Sequence, residues 1–237
     1  MDTASYRFKV DGDGFCVVEG VLDRRDVEEL RSAIDSLLAT DSGRSKGNPY
    51  GIRSLLEQAP FIEALARDAR IRQFVTPVLG SAAFAMRATF FDKVANANWA
   101  VGWHQDRVIP VKNRRDSPGF SGWGRKAGVW HVEPPADVLA NLLAVRVHLD
   151  DCLAGNGPLR VMPGSHRHGL FNDLERQNYR GQETVCEVRA GGLVVMRPLI
   201  LHASSKAEVP GHRRVIHLEF AHSDLPDGLD WNTRVDG

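Results

Sequence analysis

Leu142-Leu-Ala-Val-Arg-Val-His-Leu149 is a short apolar run suited to a pleated, half-buried surface. It has two companions, Ala85-Met-Arg-Ala-Thr-Phe-Phe91 and Arg214-Val-Ile-His-Leu-Glu-Phe220. From Ala82 onward the chain keeps this strand rhythm, broken by Gly, Pro and Asn. Before it the rhythm is helical. After Asp23, a candidate N-cap, Val27, Leu30, Ile34, Leu37 and Leu38 recur at spacings of three and four. A polar, turn-rich stretch, Asp41-Ser-Gly-Arg-Ser-Lys-Gly-Asn-Pro-Tyr-Gly51, leads to a second helical region predicted over about 61–79 and stopped by Gly80. Many short strands after two helices predict a mainly β fold with flanking α-helices. The expected arrangement is one domain over 1–237, with helices at about 23–80 packed outside an antiparallel jelly-roll (cupin-like) core at about 82–222.

Residues 112–128 follow neither period. Gly119, Gly122, Gly124 and Gly128 stand there with Phe120 and Trp123, which predicts a long loop of the kind that serves as a lid.

Composition excludes several function classes. Thirty basic and thirty acidic residues cancel, so no net charge draws the chain to phosphate backbones, and a nucleic-acid partner is not expected. Three widely spaced cysteines, Cys16, Cys152 and Cys186, without a CxxC pair fit reduced thiols and predict a cytoplasmic protein. The first residues hold no apolar leader, and no apolar stretch reaches the ~18 residues of a membrane span. A small-molecule substrate is the expected partner.

The chemistry concentrates in Trp103-His-Gln-Asp106 and in His202, which closes the apolar run Leu193-Val-Val-Met-Arg-Pro-Leu-Ile-Leu-His202. Residues two apart on a strand share a face, so His104 and Asp106 can meet one metal while Gln105 turns away. Two imidazoles and one carboxylate are the ligand set of a non-heme Fe(II) facial triad, which keeps positions open for a cosubstrate and O2. The chain then returns through Val209-Pro-Gly-His into Arg213-Arg-Val-Ile-His-Leu-Glu-Phe. A guanidinium there can take the distal carboxylate of a 2-oxo diacid in a planar pair. Arg214 alternates with Ile216, Leu218 and Phe220, whereas Arg213 alternates with His217 and Glu219, so the polar face favours Arg213.

These pieces resemble the phytanoyl-CoA dioxygenase family of Fe(II)- and 2-oxoglutarate-dependent oxygenases over nearly the whole chain. The matching residues are Phe91-Asp-Lys, Trp103-His-Gln-Asp, the block His148-Leu-Asp-Asp-Cys-Leu-Ala-Gly-Asn-Gly-Pro-Leu-Arg-Val-Met-Pro-Gly-Ser-His-Arg-His-Gly169, and His202-Ala-Ser followed by Arg213. The resemblance implies a double-stranded β-helix in which His104, Asp106 and His202 bind iron, while Arg213 and Ser204 bind 2-oxoglutarate. It also places Met86, Gln105 and Arg146 along the cosubstrate, although Arg146 stands where the animal phytanoyl-CoA enzyme has an aromatic residue. Relatives that halogenate carry a small residue in place of the carboxylate; Asp106 therefore favours hydroxylation of an unactivated C–H bond, with O2 as second cosubstrate and succinate and CO2 as products.

Within the family an acyl-CoA substrate stays open, with Arg114, Arg115, Arg125 and Lys126 as a basic patch for its phosphates. Outside it, a non-catalytic, cupin-like metal-binding module predicts the same three ligands but gives Arg213 no reason to face them. His131, Arg53 and Lys93 are candidate substrate contacts. His148 reads as a locally bonded histidine, and His166 and His168 as part of the turn after Pro163-Gly164.

Overall fold

The computed structural model describes residues 3–39, 51–94, 97–209 and 211–237. Two antiparallel sheets and a smaller third form a double-stranded β-helix. The large sheet runs in the order β1 (Phe15–Val18), β11 (Leu193–Met196), β8 (Leu143–His148), β13 (Arg213–Ala221), β3 (Phe84–Lys93) and β14 (Val235–Asp236), and β2 (Gly51–Ile52) also pairs with β3. Facing it is a four-stranded sheet of β10 (Thr184–Cys186), β9 (Leu159–Val161), β12 (His202–Ser204) and β4 (Val101–His104). The large sheet thus recruits β1, β2 and β14 from outside 82–222.

Register fixes what each face carries. Across β3, β13 and β8, Arg213 lies opposite Lys93, Val215 lies between Phe91 and His148, His217 between Thr89 and Arg146, and Glu219 between Arg87 and Ala144. That face looks into the β-helix. The alternate residues, Phe90, Ala88, Ile216, Leu218, Val145 and Val147, form one buried cluster with residues of the N-terminal helices. Burying each of the larger side chains stabilises by about 1.5–3 kcal/mol, so this dry layer anchors the sheet.

The helices show where tertiary context overrode the pattern. Helix α2 (Arg24–Leu38) begins as expected, with Asp23 and Asp26 forming a reciprocal capping box. The region read as one helix over 61–79 is instead α4 (Pro60–Arg67) and α5 (Ala69–Leu79), preceded by a single turn, α3 (Leu55–Gln58). The break falls at Asp68, whose carboxylate accepts the Arg70 amide and starts a new helix. An unpredicted helix, α1 (Thr3–Asp13), packs through Tyr6 and Val10. The turn-rich stretch at 41–51 lies outside the described residues except for Gly51.

Residues 112–128 are not a structureless loop. The third sheet has the order β5 (Ile109–Val111), β7 (Val129–Glu133), β6 (Ser121–Lys126), so about a third of that stretch is an edge strand. Ala127 and Gly128 both take positive φ, the two-residue turn that matches hairpin twist. Because β6 is largely exposed, burial imposes no alternation on its side chains, which is why the sequence showed no period.

Candidate metal and cosubstrate site

His104 ends β4 and His202 begins β12, and the two are direct cross-strand partners with ring centroids 4.1 Å apart. The Nδ1 of His104 bonds the Gly102 carbonyl at 2.8 Å, and that of His202 bonds the Ile200 carbonyl at 3.0 Å. Each bond fixes its ring with Nε2 free as a lone-pair donor. The Asp106 backbone amide donates to Pro198 at 3.0 Å, which holds its carboxylate 3.7 Å from His202 Nε2. One ligand atom from each of His104, Asp106 and His202 lies within 4.8 Å of the others, and among the described residues no fourth joins the group. Two imidazoles and a carboxylate on one side only fit a divalent cation with open positions.

Electrostatics keep those donors ready. Burial opposes the Asp106 charge, but His202, His217, His104 and Arg87 outweigh it and take the carboxyl down to about 2. Burial pushes His202 down to about 4 against the pull of Asp106, so its ring stays neutral near pH 7.

Two cavities flank Asp106, and Phe91 and His217 line both. The first, of about 200 Å³, runs from His104 and His202 to Lys93, Arg146, Ser204 and Arg213. Arg213 is buried, and among the described residues its guanidinium reaches only the Asn156 carbonyl, at 3.5 Å. Arg214 points to the opposite face and pairs with Asp150 at 2.9 Å. Lys93 Nζ donates to Ser204 Oγ at 3.0 Å and to the Ser205 carbonyl at 3.2 Å. Gly157 permits this corner: at φ +63°, an added Cβ would meet the Ser205 carbonyl oxygen at 2.6 Å.

The second cavity, of about 240 Å³, is lined by Arg53, Glu57, Met86, Lys126, His131 and Glu219, among others. His131 and Arg53 thus sit together away from Arg213, while Lys93 sits on the cosubstrate side. Met86 lines the second cavity. A register shift between Glu219 and Phe220 leaves it unpaired between Arg87 and Ala85, and its side chain faces the second cavity. The Gln105 amide donates to the Gly169 and Leu199 carbonyls and accepts the Phe171 amide, so it ties loops together.

The structure adds residues not singled out from sequence. Half-buried Arg87 and buried Glu219 form an ion pair in the second cavity. His217 accepts from Arg146 at 3.1 Å through Nδ1, which turns Nε2 toward Asp106 at 3.9 Å and Glu219 at 3.7 Å. A signal existed, since Arg87, Thr89, Phe91 and Lys93 alternate along β3 opposite the polar face of β13. His148 shares this inner face, and neither of its ring nitrogens has a partner among the described residues. His166 bonds the Asp11 carbonyl and His168 stacks on Phe171, so both serve packing.

Comparison with known proteins agrees with this geometry. The ectoine dioxygenase of Sphingopyxis alaskensis is 29% identical over 170 residues, covering 66% of this chain and 47% of its own length. This chain therefore spans about half the length of that relative. The ectoine dioxygenase of Nocardia farcinica is 28% identical over 249 residues, covering 89% of this chain and 74% of its own. Among solved structures, apo EctD from S. alaskensis superposes with a TM-score of 0.71 at 21% identity, over 93% of this chain and 77% of that one. The non-heme alpha ketoglutarate dependent epimerase SnoN from nogalamycin biosynthesis also gives 0.71, at 18% identity over 94% and 84%. The family model described as phytanoyl-CoA dioxygenase (PhyH) matches residues 10–215, and the chain belongs to that family.

Proposed function

We propose that the protein is an Fe(II)- and 2-oxoglutarate-dependent oxygenase that hydroxylates a C–H bond of a small polar metabolite. The observation that carries this reading is the placing of a three-donor group between two unlike cavities. One ends in buried cations suited to a dicarboxylate, and the other is a polar chamber with room for a second molecule. When bound, the iron supplies O2 activation coupled to decarboxylation of 2-oxoglutarate to succinate and CO2.

The residues of this chain do the rest. His104, Asp106 and His202 hold the metal from one side. Arg213 and Ser204 receive the far carboxylate, and the Arg146 guanidinium stands nearer the metal, bonded to His217. Arg53 and His131 orient the substrate in the second cavity. That cavity's charged lining and volume of about 240 Å³ suit a compact polar molecule better than a long acyl chain. A cupin-like metal module would leave Arg213 without purpose in this place, because a buried guanidinium with no carboxylate partner is costly. Among the described residues no helix is long and apolar enough to cross a membrane. Cys16, Cys152 and Cys186 are buried and form no disulfide with one another, which supports a reducing, cytoplasmic setting.

An anaerobic titration tests the reading. Fe(II) with 2-oxoglutarate should produce a weak visible charge-transfer band that Arg213→Ala abolishes. Succinate formation should then respond to one compound in a screen of ectoine, other osmolytes, amino acids and acyl-CoAs. Zinc that copurifies, with no band after Fe(II) reconstitution, would overturn the proposal.

A further inference from the structure

Arg87 on β3 and Glu219 on β13 are cross-strand partners, and both Nε and Nη2 of the guanidinium bond the carboxylate. A planar fork held by two bonds is fixed in orientation. It leaves Nη1, which has no partner among the described residues. Glu219 is 2% exposed while the Arg87 side chain keeps 17% of its surface open, and both line the second cavity together with Asp106. Taking two charges out of water stabilises a sheet less than apolar packing does, and on the dry face the same strands carry apolar residues. Sheet stability alone is thus a poor reason for this pair.

Its surroundings suit an anion. Arg53, Arg87 and Lys126 line the cavity against two carboxylates besides the metal ligand. Glu219 is held by Arg87, and Glu57 accepts the Asn232 amide at 2.9 Å and the Thr233 hydroxyl. Among the described residues Arg53 and Lys126 have no ion-pair partner, so the lining carries one positive charge in excess. His131 adds an acceptor. Its Nδ1 donates to the Val129 carbonyl at 3.1 Å, and burial first, then Arg87, Lys126 and Arg53, push the ring below the ordinary histidine range. Near pH 7 the ring is neutral and its Nε2 lone pair is available.

We propose that the second cavity selects a compact organic acid, whose carboxylate is bonded by the Nη1 edge of Arg87, and that Glu219 is the positioning residue that aims this edge. Arg53 and Lys126, both exposed, draw the acid in, and His131 accepts from a hydroxyl or amino group on it. This rests on the oxygenase reading above and deepens it by naming the acid group as the feature recognised.

The experiment screens short hydroxy and amino acids, each beside its primary amide, which keeps the shape and lacks the charge. Succinate formation identifies the acids that stimulate turnover. Calorimetry on the anaerobic protein loaded with Fe(II) and 2-oxoglutarate then gives the affinity for each such acid and its amide without turnover. Wild type should bind the acid about 10- to 100-fold more tightly than the amide, as a charge-assisted hydrogen bond implies. Arg87→Met combined with Glu219→Met removes the pair without stranding either charge, so acid and amide should bind alike while 2-oxoglutarate affinity stays that of wild type. Glu219→Gln leaves the guanidinium charged but free to swing. The acid should then bind at least as tightly as before, yet yield less hydroxylated product per succinate, a split that general damage to the fold would not give. Arg53→Gln and Lys126→Gln should each weaken the acid by about two- to fivefold, and by less as salt rises. Four results overturn the proposal and leave the oxygenase reading intact while the charge-transfer band still forms: no acid that stimulates succinate formation, equal affinity of wild type for acid and amide, a double variant that keeps the preference, or unchanged product yield per succinate in Glu219→Gln. Absence of the band overturns both.

Discussion

The two faces of the β3–β13–β8 ladder are built by the same strands and do opposite things. One face, with Phe90, Ile216, Leu218 and Val147, is dry and packed beneath the helices. The other carries Lys93, Arg87, Arg213, His217, Glu219 and Arg146, all pointing into the β-helix. The period of two in a strand sorts them, so stability and chemistry are written on alternate residues. A substitution should therefore damage one property and spare the other according to its parity.

The largest effect should come from the metal group. His202→Ala should lower turnover by about a thousandfold or more while thermal unfolding stays cooperative, since the loss removes several kcal/mol of metal-supplied stabilisation. On the dry face, Phe90→Ala should cost about 3–5 kcal/mol of stability by urea denaturation, with 2-oxoglutarate affinity of the folded protein unchanged. The neighbouring arginines offer the sharpest contrast. Arg213→Ala should weaken 2-oxoglutarate binding about 100-fold through a lost charge-assisted pair. Arg214→Ala should leave binding alone and cost about 1 kcal/mol, because Asp150 loses that guanidinium but keeps Arg31 and the backbone amide of residue 214. Equal effects of the two on binding would break the parity argument.

The smallest predicted effect is a pH slope. Burial, helped by Arg146 and Arg213, pushes His148 down to about 3. The unfolded chain therefore takes up a proton that the folded one refuses, and stability contributed by the neutral ring is lost as pH falls below the ordinary histidine range. His148→Leu should flatten the decline of the urea midpoint between about pH 6.5 and 4.5, by no more than about 1.4 kcal/mol per pH unit. An unchanged slope would assign the decline to His217 or to the carboxylates.

Much of this was legible in the chain. The parity that separated Arg213 from Arg214 reflects a period that burial enforces, whereas Asp106 lies past the end of β4 and is held near His202 by the bond of its amide to Pro198. The Asp23 cap was equally plain. What escaped had its cause in contacts distant along the chain. Asp68 carries a helix-starting side chain, but it interrupts an apolar pattern that continues on either side. The edge strand at 121–126 has no alternation to read because little of it is buried. The roles of Gln105 and Met86 turn on loop carbonyls and a one-residue register shift that only the folded sheet defines. The contact of Lys93 with Ser204 joins residues 111 apart.

Gly157 gives the corner beneath Lys93 its history. Because the backbone there adopts φ +63° and nestles against the oxygen of Ser205, even a methyl group would shove aside the acceptor that Lys93 uses. The position touches neither metal nor cosubstrate, yet a saturation library selected for turnover should return glycine alone. A family tree would then preserve this atomless side chain as faithfully as an iron ligand, for what it leaves room to do.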